Sequence, residues 1–220
     1  MIDQDGKTVG DPEGYDYVNS CRDIDGKPGF IAKKGEKRFV IWDGKVVGDP
    51  KGLYNITLLT DIWGKPGWVG REKGGQSFIF INGKKIQGQE DYEPVSNIMD
   101  MGGVLVYVAQ IVEYHGAFII KNGQIMGDQQ EGSESLPLLI NVGGKVGAAV
   151  KINGRWFVSL DGKVVGNEKG YANVSELVDI EGKIGFVAVV AGKHFFILDG
   201  KPLYEFDDPD RVGFVTSIAG

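Results

Sequence analysis

Carboxylates recur along this chain at matching positions of a repeated segment. They are Asp23, Asp61, Asp100 and Asp179, and two further copies carry Asn141 and Ser217 instead. A ring of such carboxylates at the mouth of a channel could hold a cation or do acid–base chemistry. An aspartate beside a turn can equally accept hydrogen bonds from backbone N–H groups. Because catalysis needs residues in unlike environments and a repeat supplies like ones, we interpret these aspartates as turn residues.

Aromatic residues form a second recurring set. Tyrosine precedes the stretch that ends at each aspartate in four copies, at Tyr15, Tyr54, Tyr92 and Tyr171. Trp63 occupies a turn where other copies have Asp25, Gly143 or Glu181. A tyrosine combines a flat apolar face with a hydroxyl, which suits a sugar or a peptide. These five residues are the candidate ligand-binding residues, and the alternative is that they pack between neighbouring repeats.

Other chemistry has little support in the sequence. The two histidines, His115 and His194, stand without a nearby cysteine or a suitably spaced carboxylate, so no metal site is predicted. Glycine-rich stretches such as residues 143–147 are predicted hairpin turns rather than phosphate cradles, because no helix follows them. We therefore predict no catalytic residue, no metal and no cofactor.

Composition restricts the possible partners. The chain has 220 residues and a net charge of −6, and an acidic protein opposes binding to the phosphate backbone of nucleic acids. The single cysteine, Cys21, excludes an internal disulfide and is expected to be an inert core thiol. No apolar run is long enough to span a membrane, and no signal segment opens the chain, which leaves both periplasmic or secreted and cytoplasmic locations open. We expect a monomer whose partner is a protein or a small molecule.

A dipeptide that is typical of tight turns returns at a nearly constant spacing. It occurs at Asp5-Gly6, Asp43-Gly44, Asn82-Gly83, Asn122-Gly123, Asp161-Gly162 and Asp199-Gly200. The steps between them are 38, 39, 40, 39 and 38 residues. Such a period indicates one supersecondary unit copied along the chain. Asn-Gly and Asp-Gly favour the type I′ turns that close two-residue β-hairpins.

The stretches between the turns have the length of β-strands and leave no room for helices. In the second copy they are residues 54–62, 65–71, 77–81 and 84–88, which predicts a four-stranded antiparallel meander. The third stretch, for example Phe78 to Ile81, is apolar on both faces, so both faces of each sheet must be covered. Sheets of this kind that stack face to face in a ring form a β-propeller.

The sequence therefore predicts an all-β fold with a single β-propeller domain over residues 1–220. Five complete blades are expected near residues 15–50, 54–88, 92–127, 135–166 and 171–204. Residues 1–10 and 211–220 would together form a sixth, closing blade that lacks its second strand. A propeller of five blades with unpaired ends is the alternative.

The repeat resembles that of the TolB-type, WD-repeat-like propellers. The resemblance rests on residues 25–45 (DGKPGFIAKKGEKRFVIWDGK) and 181–201 (EGKIGFVAVVAGKHFFILDGK) and extends over essentially the whole chain. The Ser-Pro of that family's Ser-Pro-Asp-Gly turn is missing here. The resemblance implies a bacterial propeller without specifying an activity, since such blades occur in scaffolds and in gates of peptidases.

We expect a non-enzymatic binding or scaffold domain that recognises a protein or a small ligand on one loop face. The alternative is a glycan-active enzyme with carboxylates from several blades around the central channel. An enzyme should place two or three acids in one pocket, whereas a binding propeller should show equivalent residues in successive blades.

Overall fold

The structure, a computed structural model, describes residues 14–48, 53–71, 75–86, 92–111, 116–126 and 133–206. Within these ranges every regular element is a β-strand, and no helix that could cross a membrane is present. The prediction of an all-β fold is confirmed. The closing blade expected from residues 1–10 and 211–220 lies outside the described residues.

The strands form five four-stranded antiparallel sheets, and in each sheet consecutive strands are neighbours. The first sheet contains β1 Tyr17–Ile24, β2 Lys27–Lys34, β3 Lys37–Trp42 and β4 Lys45–Val47. The second contains β5 Asn55–Ile62, β6 Lys65–Arg71, β7 Ser77–Ile81 and β8 Lys84–Lys85. The third contains β9 Tyr92–Asp100, β10 Leu105–Ile111, β11 Ala117–Lys121 and β12 Gln124–Ile125. The fourth contains β13 Leu138–Val142, β14 Lys145–Ile152, β15 Arg155–Leu160 and β16 Lys163–Val164. The fifth contains β17 Asn173–Ile180, β18 Lys183–Val190, β19 Lys193–Leu198 and β20 Lys201–Phe206.

The recurrent Asx-Gly pairs close hairpins as expected. Both central residues have positive φ, for example 51° and 71° at Asp43-Gly44 and 49° and 78° at Asn82-Gly83. These are the dihedrals of type I′ turns, whose twist matches that of the strands they join. The turn between the first two strands of a sheet has the same form, even at Trp63-Gly64, where φ is 57° and 69°.

The first strands of three sheets carry a β-bulge at the same place, which the sequence did not predict. The register shifts between Asn19 and Arg22 in β1, and the same shift occurs in β5 and β17. Ser20, Leu58 and Glu176 lie at the bulges with φ of 53°, 58° and 55°. Serine, leucine and glutamate are not residues that mark positive φ, so the residue types gave no signal.

The chain forms two compact units, residues 1–112 with 120–124 and residues 113–119 with 125–220. In the first unit Ile31 and Val40 of the first sheet pack with Ile56 and Trp68 of the second sheet. In the second unit Val142 and Val158 of the fourth sheet pack with Val174 and Phe186 of the fifth. Each of these two cores is therefore built between the faces of consecutive sheets.

The first sheet is buried on both faces. On the face opposite the second sheet, Phe30, Ala32 and Ile41 have no exposed surface. Alternate residues of a strand point to opposite faces, so Val40 lies in one core and Ile41 in the other. By contrast Cys21, expected in the core, is exposed on β1, so that expectation was wrong.

Candidate functional site

The recurring aspartates cap the turn that follows their own strand. Oδ1 of Asp23, Asp61, Asp100 and Asp179 accepts a hydrogen bond, 2.8 Å in each case, from the backbone N–H three residues later. Asn141 does the same with Gly144 at 2.8 Å. One turn geometry thus uses the same acceptor in five sheets, because the first strand must reverse at an identical point in each copy.

The same carboxylates also link consecutive sheets within each unit. Oδ2 of Asp61 accepts from the backbone N–H of Asp25 at 3.2 Å, and Oδ2 of Asp179 accepts from Gly143 at 3.1 Å. The indole Nε1–H of Trp63 donates to Oδ1 of Asp100 at 3.0 Å. The aspartates are therefore already used in structural hydrogen bonds, and among the described residues no three acidic, histidine or cysteine side chains gather around a possible metal position.

The four tyrosines expected at one position occupy two different positions in the structure. The backbone of Tyr171 exchanges hydrogen bonds with that of Trp156 at 2.8 and 3.0 Å. In the first unit the equivalent residue is Leu53, whose backbone forms the same bridge with Arg38. Tyr54 is the next residue, and its N–H donates to Arg71 O. Tyr15 corresponds to Leu53. The residue after Tyr15, Asp16, donates its N–H to Lys33 O, as Tyr54, the residue after Leu53, does to Arg71 O.

This one-residue offset decides which tyrosine is exposed. Tyr171 is 3% exposed, its hydroxyl accepts from Asn167 N–H at 2.9 Å, and its ring meets Phe186 edge-on at 5.5 Å. Tyr15 is half-buried against the core around Phe30. Tyr54 is 48% exposed. Tyr92 opens β9, and its side chain lies outside the description.

A further exposed tyrosine, which sequence reasoning missed, lies at the same end of the first unit. Tyr17 is 59% exposed at the start of β1, where it pairs with Lys33, which in turn pairs with Arg38. Arg38 bridges Leu53, which precedes Tyr54, so this row of residues crosses from the first sheet to the second. The sequence offered one signal, a second tyrosine two residues after Tyr15 at the start of the predicted strand.

The same end of the first sheet is positively charged. Residues 33–38 (KKGEKR) contain four cations and one carboxylate, in a chain whose net charge is −6. Lys33 is exposed, and it is not paired with a carboxylate in the described part of the chain. Its cross-strand partner is Arg38, whereas Lys37 alternates to the opposite face of the sheet. We call the area formed by Tyr17, Lys33, Arg38 and Tyr54 the tyrosine surface.

A small cavity of about 20 Å³ lies between the first and second sheets beside this surface. Aliphatic and aromatic side chains line it, with Arg38 as the charged residue; they include Val47, Leu53, Ile56, Trp68 and Phe80. Nη1 of Arg38 donates to Ile56 O at 3.5 Å. The indole N–H of Trp68, a residue 1% exposed, has no hydrogen-bond partner among the described residues. Both of these polar side chains are donors.

Trp63 lies at the opposite end of the sheets from the tyrosine surface, in the turn that follows β5. It is 46% exposed. The next residue, Gly64, lies near the first sheet, because the side chain of Asp25 comes within 3.5 Å of a Cβ placed on Gly64. The structure thus separates Trp63 from the tyrosines with which it was grouped as a candidate.

Comparison with known proteins adds no assignment to this geometry. No protein-family model matches the chain, and no curated protein sequence matches it.

Proposed function

We propose that this protein is a non-enzymatic β-propeller binding domain of the TolB-like type, and that it recognises its ligand through the tyrosine surface. The observation that carries the proposal is the pair of tyrosines, Tyr17 and Tyr54, which are 59% and 48% exposed at the same end of two neighbouring sheets. Large aromatic residues that stay exposed on a rigid sheet supply contact area at little entropic cost.

The use of the aspartates supports binding rather than catalysis. A general acid and a nucleophile need different surroundings, whereas Asp23, Asp61, Asp100 and Asp179 all hold the same turn in the same way. A glycosidase site would require one pair of carboxylates to depart from this common role. Within the ranges that the structure describes, none of these four aspartates departs from it.

The arrangement of the sheets supports a closed ring. Phe30 and Ile41 are fully buried on the face of the first sheet that looks away from the second sheet. In a propeller of six blades the closing blade, shared between residues 1–10 and 211–220, would cover this face.

The proposal is tested by nuclear magnetic resonance titration of the ¹⁵N-labelled protein with a panel of neutral oligosaccharides and of short peptides. We expect a saturable ligand to shift the backbone amides around Tyr17 and Tyr54. The double substitution Tyr17→Ser and Tyr54→Ser should abolish the shifts, and Trp63→Ser, at the opposite end, should preserve them. Shifts that centre on the turns at Asp61 and Asp100, or turnover of an oligosaccharide, would contradict the proposal.

A further inference from the structure

The charge of the tyrosine surface indicates what kind of ligand it takes. Residues 33–38 carry a net charge of +3, from four cations and one carboxylate, although the whole chain carries −6. Lys33 stands between Tyr17 and Arg38 in the strand register, and side chains directly opposite each other in antiparallel strands lie on the same face. A row of two cations therefore continues from an exposed tyrosine toward the second sheet.

The acidic residues at this end cancel only part of that charge. Asp16 lowers it by one, and its Oδ2 accepts from the Gly35 N–H at 2.6 Å in the turn between β2 and β3. Glu93 binds Arg71 and Ser77, so its charge is balanced by that of Arg71. Lys33 remains as an exposed cation without a carboxylate partner among the described residues.

The adjoining cavity adds one constraint. It has room for about one water molecule, its walls are apolar, and its two polar side chains, Arg38 and Trp68, present N–H donors. A buried donor without a partner favours a group that accepts hydrogen bonds, so an atom that enters the cavity is an acceptor, such as a single carboxylate oxygen.

We infer that the tyrosine surface binds an acidic peptide segment of a partner protein. Tyr17 and Tyr54 provide the contact area, and Lys33 and Arg38 face the carboxylates of the peptide. Tyrosine and arginine are enriched at protein interfaces, and complementary charge sets the orientation and accelerates association. This inference rests on the proposed binding function and names the ligand class of the same surface.

The test is a titration of the ¹⁵N-labelled protein with a decaglutamate peptide at low salt, followed by amide shifts. The shifts should centre on Lys33–Arg38 and Tyr54. The substitution Lys33→Glu should raise the Kd by about fivefold or more. The matched control, Lys65→Glu, reverses an exposed lysine at the opposite end and should leave the Kd within about twofold. Thermal unfolding of both variants checks that they remain folded.

Three results would overturn the inference. They are equal shifts at lysines all over the protein, tighter binding of tetragalacturonate than of decaglutamate, and self-association that fills this surface, seen as a concentration-dependent mass. If decaglutamate fails to bind while a neutral ligand of the panel shifts Tyr17 and Tyr54, the inference fails and the binding function stands. If nothing shifts these residues, both fail.

Discussion

At the scale of single residues, position within the register decides which side chain is available. Tyr54 and Tyr171 look equivalent in sequence. In the structure, however, Tyr171 is the residue that bridges two sheets and is buried, whereas Tyr54 is the residue after the bridging one and is exposed. Its hydroxyl is satisfied by Asn167, as buried tyrosines require. A repeat with small insertions in its loops cannot be aligned to one residue from sequence alone, and one residue is enough to change the exposure of a side chain.

The aspartates allow a test at the same scale. Asp61 accepts two backbone hydrogen bonds, one in its own turn and one from Asp25 in the preceding sheet, whereas Asp23 makes only the first among the described residues. Asparagine keeps one oxygen, as Asn141 shows, so Asp61→Asn should lose the bond between sheets. We expect a loss of about 1 kcal/mol in the free energy of unfolding.

Asp23→Asn is the matched control, because asparagine can retain the single bond to Gly26. Urea denaturation of both variants measures the difference. An equal effect of the two substitutions would show that the second hydrogen bond of Asp61 contributes nothing.

At the scale of elements, the same turn has different neighbours in different sheets. Gly83 and Gly123 both follow an asparagine in a type I′ turn, with φ of 78° and 77°. A Cβ on Gly83 would lie 2.6 Å from the backbone N of Gly48 in the first sheet, whereas one on Gly123 would meet nothing within 4 Å. The first turn therefore lies against a neighbouring sheet, and the second is open.

Substitution of the two glycines by alanine separates backbone strain from contact between sheets. Gly123→Ala should cost about 1 kcal/mol, the penalty of positive φ for a residue with a Cβ. Gly83→Ala should cost a further 1–3 kcal/mol or so, because the Gly48 backbone would have to move.

Thermal and urea unfolding give both values. Equal losses in the free energy of unfolding at the two positions would mean that the turn at Gly83 does not pack closely against Gly48.

At the scale of the whole molecule, the outer face of the first sheet is buried and requires a covering element. Phe30, Ala32 and Ile41 are fully buried there, and the partly buried residues described around them are Tyr15, Val18 and Phe39. In the proposed six-bladed ring the closing blade supplies the remaining cover. In the five-bladed alternative, the ends of the chain do not cover this face.

Deletion of residues 211–220 distinguishes the two rings. It removes Val212, Phe214, Val215 and Ile218. In the proposed closing blade their burial would contribute several kcal/mol in total, at about 1.5–3 kcal/mol for each large side chain. For a chain of this size we expect the Tm to fall by roughly 10 °C or more.

Calorimetry of the shortened and full chains measures the change, and Lys163→Ala, at an exposed residue of β16, serves as the control that should leave the Tm unchanged. Small-angle X-ray scattering of the full chain should give a radius of gyration of about 17 Å, as expected for one compact domain. An unchanged Tm after the deletion would favour five blades.

The sequence by itself determined the strands and turns of this protein. The Asx-Gly pairs demand positive φ at two successive residues, and the apolar third strands demand cover on both faces, so local chemistry was sufficient for five four-stranded sheets. The tertiary structure alone decided which recurring residues face solvent and which link the sheets. Tyr17 and Tyr54 are open, Tyr171 is buried, and Asp61 reaches Asp25 in another sheet, because register and packing between sheets depend on contacts far apart in the chain.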